Sequence, residues 1–179
     1  MKQALLGGVA TLLMLACAAS AETCGNYELT PIQDSHTAMR MALFPSLAQQ
    51  EFIRLAGSRE ARASVNTFLL QGDGRTILID TGNGRGIGKT VERLREQGVA
   101  PEQVDAILIT HMHGDHIGGL LDGDGQAVFP KAELYISGSE RAYWQSAAGG
   151  GGDTARRVLA AYGDRVKEMR FGEEVLPGI

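Results

Sequence analysis

The sequence predicts an α/β fold, and three observations carry that expectation. Residues 65–71 and 76–79 are apolar-rich runs on either side of Gly72-Asp73-Gly74, the pattern of a strand, a tight turn and a returning strand. Residues 90–97 set Val91 and Leu94 on one face among charges, and Gly98 follows them, as in a short amphipathic helix with a glycine stop. Residues 104–110 (Val-Asp-Ala-Ile-Leu-Ile-Thr) then form a run apolar enough for a buried strand. Strand, helix and strand in that order imply parallel pairing through a crossover helix. Ligands of such sheets gather outside the carboxyl ends of the strands.

The other elements follow in chain order. Residues 1–21 have the organisation of a signal peptide: Lys2, an apolar run over 4–16, and Ala19-Ser20-Ala21 before Glu22. The run is shorter than the roughly 20 residues of a membrane-spanning helix. Cleavage is expected after Ala21, which makes the protein periplasmic or secreted with no stable membrane insertion and leaves residues 22–179 as the folded part. Leu15-Ala16-Cys17 is loosely like a lipoprotein signal, which keeps acylation of Cys17 open as the alternative. The mature chain then holds Cys24 near its start, in a segment expected to fray, as a free thiol or a partner in an intermolecular disulfide. Residues 27–62 give mixed signals, with Phe44-Pro45-Ser46 interrupting any long helix and 47–55 suited to a short one. After the buried strand, 134–136 predict a strand, 139–146 a helix, 149–152 a flexible loop, 154–162 a helix and 166–171 a last strand. No internal repeat and no second domain are apparent.

Composition narrows the function classes. Hydrophobic residues make up 44% and charged residues 21%, ordinary values for a globular domain with a core. A net charge of −4 argues against a general binder of nucleic acid or of an anionic membrane surface. Many of the 24 glycines sit beside the most polar segment, which fits an active site built from loops.

That segment is Thr110-His111-Met112-His113-Gly114-Asp115-His116, which holds three of the four histidines. Imidazole and carboxylate are the ligands that zinc prefers. In an extended chain, residues two apart point to the same side, so His111 and His113 can converge on one ion. Asp115 and His116 follow where Gly114 and the Gly118-Gly119 pair permit a sharp change of direction. Two neighbouring donor pairs suit two metals, or one metal beside an acid–base carboxylate. Zinc lowers the pKa of a bound water to about 7, and Asp115 would orient the attacking water. The alternative is a solvated histidine-rich loop without metal. His36 stands alone upstream and reads as a surface or packing residue.

The His111-Met112-His113-Gly114-Asp115-His116 run resembles the HxHxDH motif of the metallo-β-lactamase superfamily. Asn66-Thr67-Phe68-Leu69, Ile77-Leu78-Ile79-Asp80-Thr81-Gly82 and Val104 to Thr110 flank it in the family's order. The resemblance covers residues 64–179 and implies the N-terminal half of an αββα sandwich. Pro101-Glu102-Gln103-Val104-Asp105, Gly118-Gly119-Leu120, Phe129-Pro130-Lys131-Ala132 and Tyr143-Trp144 are most similar to the methyl parathion hydrolase-like branch. On this resemblance His111 and His113 would bind a first zinc, Asp115 and His116 a second. Asp80 would either hydrogen-bond the ligand loop and fix its geometry or merely cap a turn. Trp144 would line the leaving-group pocket or sit in the core, and 149–152 would be a lid or a plain linker.

The family also supplies a third histidine on the first zinc, a carboxylate bridging both metals and a last histidine, and no position here matches them. Leu176-Pro177-Gly178-Ile179 resembles the segment shortly before that third histidine. The expectation is therefore an exported zinc hydrolase of lactones, phosphotriesters, other esters or β-lactams in a C-terminally truncated form, with doubtful metal occupancy and an uncovered sheet face. The alternative is a non-catalytic remnant or a metal- or ligand-binding module.

Overall fold

The computed structural model describes residues 21–179. The expected signal peptide lies outside the described residues except for Ala21, as does Cys17. Among the described residues, seven strands form one sheet in chain order: β1 (Glu22–Cys24), β2 (Tyr27–Arg40), β3 (Glu60–Gly72), β4 (Arg75–Ile79), β5 (Ala106–Leu108), β6 (Glu133–Ser137) and β7 (Val166–Met169). Strands β1 to β4 pair antiparallel, and β4 to β7 pair parallel. The helices are α1 (Gln49–Ala56), α2 (Thr90–Glu96), α3 (Gly114–Ile117), α4 (Gly138–Ser146) and α5 (Gly150–Tyr162). Among the described residues, no helix is long and apolar enough to cross a membrane.

Period-two alternation divides the strands between two apolar faces. Leu69, Leu78, Ile107, Leu134 and Ile136 point to one side, where Leu94 of α2, Ile117 of α3 and Val158 of α5 close a buried core over them. Leu70, Ile77, Ala106, Leu108 and Met169 point to the other. There the C-terminal segment lays Val175, Leu176 and Ile179 across part of the face, and the Tyr27 hydroxyl donates to the Pro177 carbonyl at 3.0 Å. The face expected to stand open is thus partly covered. A cavity of about 330 Å³ remains between Ile79, Leu108, Met169 and Phe171.

Three expectations need correction. The region of mixed signals contains the 14-residue strand β2, whose period is interrupted by Pro31 and by a bulge between Gln33 and Ser35. Cys24 is exposed but belongs to a strand paired with β2 rather than a frayed end. The glycine run at 149–152 is neither lid nor linker: Gly150, Gly151 and Gly152 are the first turn of α5. A Cβ on Gly152 would collide with the Ala147 carbonyl, and one on Gly151 would stand 2.7 Å from the Trp144 ring. Close approach of α5 to α4 accounts for Gly151 and Gly152, and Gly149 adopts a left-handed φ of 85°, whereas the space around Gly150 is open. Gly152→Ala should therefore lower stability by roughly 1–3 kcal/mol in urea unfolding, the cost of overpacking a closed contact. A loop glycine would tolerate the change.

Candidate metal centre

The histidine segment leaves β5 at the carboxyl end of the parallel strands. After Leu108 the chain stays extended, with the Ile109 amide donating to the Tyr135 carbonyl at 3.0 Å, and the side chain of Met112 is buried in the core. His113 then precedes the single turn α3, which carries Asp115 and His116. Gly118 and Gly119 serve close approach rather than a sharp turn. A Cβ on either would strike the carbonyls of Asn83 or Thr81. Those contacts hold the loop against the end of β4.

Asp80, the residue after β4, adopts φ 58°, a left-handed conformation that aspartate tolerates better than most residues. Its side chain is 7% exposed. Oδ1 accepts the Thr110 amide at 2.9 Å, and Oδ2 accepts the Thr110 hydroxyl at 2.7 Å. His116 Nδ1 stands 2.7 Å from the same Oδ2, which assigns its proton to Nδ1 and leaves Nε2 as a lone pair. The Thr110 hydroxyl oxygen lies 3.2 Å from His111 Nδ1, so one carboxylate orients His116 directly and His111 through Thr110. Thr81 holds the backbone from below: its amide and its hydroxyl both donate to the His116 carbonyl, at 2.8 and 2.9 Å. Asp80 therefore hydrogen-bonds the histidine loop and does more than cap a turn.

The imidazoles are close neighbours. Ring centroids of His111 and His116 are 3.9 Å apart, and those of His111 and His113 are 4.7 Å apart. Burial, and then the proximity of the His116 and His113 imidazoles, lower the His111 pKa from its ordinary value, a shift toward the neutral form that can ligate a metal. Asp115 Oδ2 is 3.7 Å from His116 Nε2, with its side chain nearly half exposed. Trp144, on α4, meets His113 edge-on at 5.3 Å and also flanks the core, so it belongs to both settings left open by the sequence. Tyr143 extends the aromatic wall at 5.2 Å from Trp144. His36 is exposed, within 3.5 Å of Gln33 only, and takes no part.

These donors fit zinc in chemical type, and the contacts at Nδ1 leave Nε2 of His111 and of His116 as the ring atoms that could ligate it. Among the described residues, no group of three histidine, cysteine or carboxylate side chains is disposed to hold one ion. The His111 ring lies beside both of the others, at 3.9 Å from His116 and 4.7 Å from His113.

Two residues outside the motif shape the site. Asp34, at the β2 bulge, is 1% exposed and accepts five hydrogen bonds from the loop after β4 and the start of α2. The donors are Asn83 N at 2.9 Å and Nδ2 at 3.2 Å, Lys89 N at 3.0 Å, and Thr90 N at 3.1 Å and Oγ1 at 2.6 Å. The carboxylate thereby caps α2 from another strand, at the positive end of its dipole. Gly82 and Gly88 leave it room. The second residue is Glu140, in the first turn of α4, whose carboxylate reaches the amide of Met112. Neither residue carried a sequence signal of its role: Asp34 falls in the stretch of mixed signals and Glu140 in a predicted helix.

A family model described as the metallo-beta-lactamase superfamily matches residues 62–173. The chain belongs to that superfamily. It is 28% identical over 132 residues to metallo-beta-lactamase domain-containing protein 1 of Xenopus laevis, an alignment covering 69% of this chain and 50% of the relative. Among solved structures it superposes on hydrolase AbOPH of the beta lactamase superfamily with a TM-score of 0.77 and 28% identity, over 87% of this chain and 62% of that one. The fold of AidC, a dizinc quorum-quenching lactonase in complex with a product, matches with a TM-score of 0.78 and 20% identity, over 88% and 63%. The chain spans half the length of the Xenopus relative and less than two thirds of either structure. The α/β architecture expected from the sequence is the architecture found, and the chain is a member of a hydrolase family.

Proposed function

We propose that this protein is an exported, zinc-dependent hydrolase of lactones, phosphotriesters or other esters, with β-lactams as the less favoured substrates. The observation that carries the reading is the oriented histidine cluster: Asp80 and Thr110 hold His116 and His111 with their Nδ1 atoms engaged and their Nε2 atoms free. Such carboxylate–histidine pairs are how proteins fix the tautomer of a metal ligand. His111 with His113, and Asp115 with His116, would hold the two ions. Zinc bound there supplies a water of lowered pKa and an electrophile for the substrate oxygen.

The chain's own residues supply the rest. Asp115, partly exposed beside His116 Nε2, is placed to hold a proton or to orient a water. Trp144 and Tyr143 offer an apolar wall next to His113 for the leaving group of a small-molecule substrate. The sequence resemblance to the methyl parathion hydrolase-like branch supports an ester-type substrate, and the fold shared with a lactonase makes lactones the first class to assay. Strand β1 begins at Glu22, so cleavage after Ala21 would remove no described strand and would release a periplasmic or secreted protein.

A second reading, a non-catalytic remnant or a metal- or ligand-binding module, follows from the two protein ligands that the motif offers each ion, since catalytic zinc ordinarily has three. Native mass spectrometry on the protein purified from its own cells separates the two. The hydrolase reading expects two zinc ions and turnover of a lactone or ester that a chelator abolishes. Substoichiometric metal and no turnover would leave only the second reading. Residues 22–179 alone should bind zinc weakly.

A further inference from the structure

We infer that Glu140 is a positioning residue that couples the aromatic wall to the histidine loop. The residue lies in the first turn of α4, where its amide donates to the Ser137 hydroxyl oxygen at 3.3 Å. A single carboxylate oxygen, Oε2, accepts both the Met112 amide and the Trp144 indole N–H, each at 2.8 Å. Met112 stands between His111 and His113, and its side chain is anchored in the core. Its amide is therefore the free end of that residue, and Glu140 ties it. Trp144, one helical turn beyond Glu140, carries the same bond to the edge of His113. Close packing of Gly151 limits movement of the indole on its other side.

The result is a closed circuit from His113 to Trp144, Glu140, Met112 and back to His113. Because one oxygen serves both donors, displacement of the indole shifts the acceptor of the Met112 amide, and displacement of the loop shifts the acceptor of the indole. A ligand that presses on Trp144 is thereby sensed by the backbone between two histidines. Charged hydrogen bonds of this kind are stronger than neutral ones, which makes the carboxylate a stiff link. The consequence for zinc binding rests on the hydrolase reading; the coupling itself does not.

Trp144 is the sole tryptophan, so its emission reports on the circuit without a label. The first comparison uses chelator-treated protein. Glu140→Ala is expected to shift the emission to the red and to make it more accessible to acrylamide. Glu140→Gln, whose amide oxygen can accept both bonds, is expected to restore most of the wild-type spectrum. Zinc titration should then show Glu140→Ala about 10–100-fold weaker, with Glu140→Gln close to wild type. A second variant, Trp144→Phe, keeps a ring and deletes the N–H donor; the Met112 amide should exchange its hydrogen faster in it, measured by NMR. Wild-type emission and accessibility in a folded Glu140→Ala protein, or unchanged Met112 exchange in Trp144→Phe, would overturn the coupling. If wild type takes up no zinc, the hydrolase reading fails, while the metal-free emission and exchange data still decide the role of Glu140.

Discussion

Asp34→Ala is expected to lower folding stability by roughly 3–5 kcal/mol, the largest effect of any single substitution considered for this fold. Five donors converge on that buried carboxylate, three of them backbone amides of Asn83, Lys89 and Thr90. Hydrogen bonds to a charged group contribute about 1.5–3 kcal/mol each, and stranded buried donors cost about 1–3 kcal/mol; water entering the vacated space offsets part of the loss. The damage should spread to the metal centre, because the loop that Asp34 secures begins at Thr81, which holds the His116 carbonyl. Urea unfolding followed by far-UV circular dichroism measures this as a lower midpoint at unchanged slope. Asp34→Asn, which keeps one acceptor oxygen, should fall between wild type and alanine. A loss below about 1 kcal/mol for Asp34→Ala would mean that the 81–90 loop holds itself, contrary to the hydrogen-bond count.

Asp80→Asn is expected to weaken zinc binding about 10–100-fold while leaving the fold nearly as stable. Asparagine tolerates the left-handed backbone at φ 58°, so the substitution adds little strain. The chemistry changes at one atom. Oδ2 accepts from both the Thr110 hydroxyl and His116 Nδ1, and an amide nitrogen in its place can only donate. His116 must then accept at Nδ1 and carry its proton on Nε2, the atom that would face the metal. The opposite orientation of the amide keeps His116 satisfied at the expense of the Thr110 amide. Histidine nitrogen shifts in NMR distinguish the tautomers, and calorimetry gives the affinity. An unchanged tautomer together with unchanged affinity would falsify the orienting role.

The two substitutions also mark how far the sequence could be read. Asp80 lies 30 residues from the Thr110 it holds, but it follows a recognisable strand two residues before a glycine, and the family resemblance offers it either as a holder of the ligand loop or as a turn cap. The histidine segment was readable because its donors lie within a few residues of one another and follow an apolar run. Helix α2 and the hairpin of β3 and β4 were readable for the same reason: each is specified by local periodicity and by a glycine turn. Strand β2 was not. Its outer half is exposed and polar, and its regular alternation stops at the bulge that delivers Asp34. The glycine run that begins α5 reads as a loop by composition, and only the proximity of Ala147 and Trp144 explains Gly151 and Gly152.

The sequence by itself determined an α/β chain, a parallel crossover, a histidine loop at the carboxyl end of a strand and the donor types that suit zinc. These are short-range properties, set by side-chain alternation, turn residues and spacing within single elements. Only the tertiary structure decided which carboxylates hold that loop in place. Asp34 reaches its donors across 49 to 56 residues of chain, and Glu140 reaches Met112 across 28. Such bonds form after the sheet has brought distant segments together, and the amides they satisfy carry no side-chain signature. A backbone N–H looks the same in every residue but proline, so the sequence cannot announce which one a distant carboxylate will find.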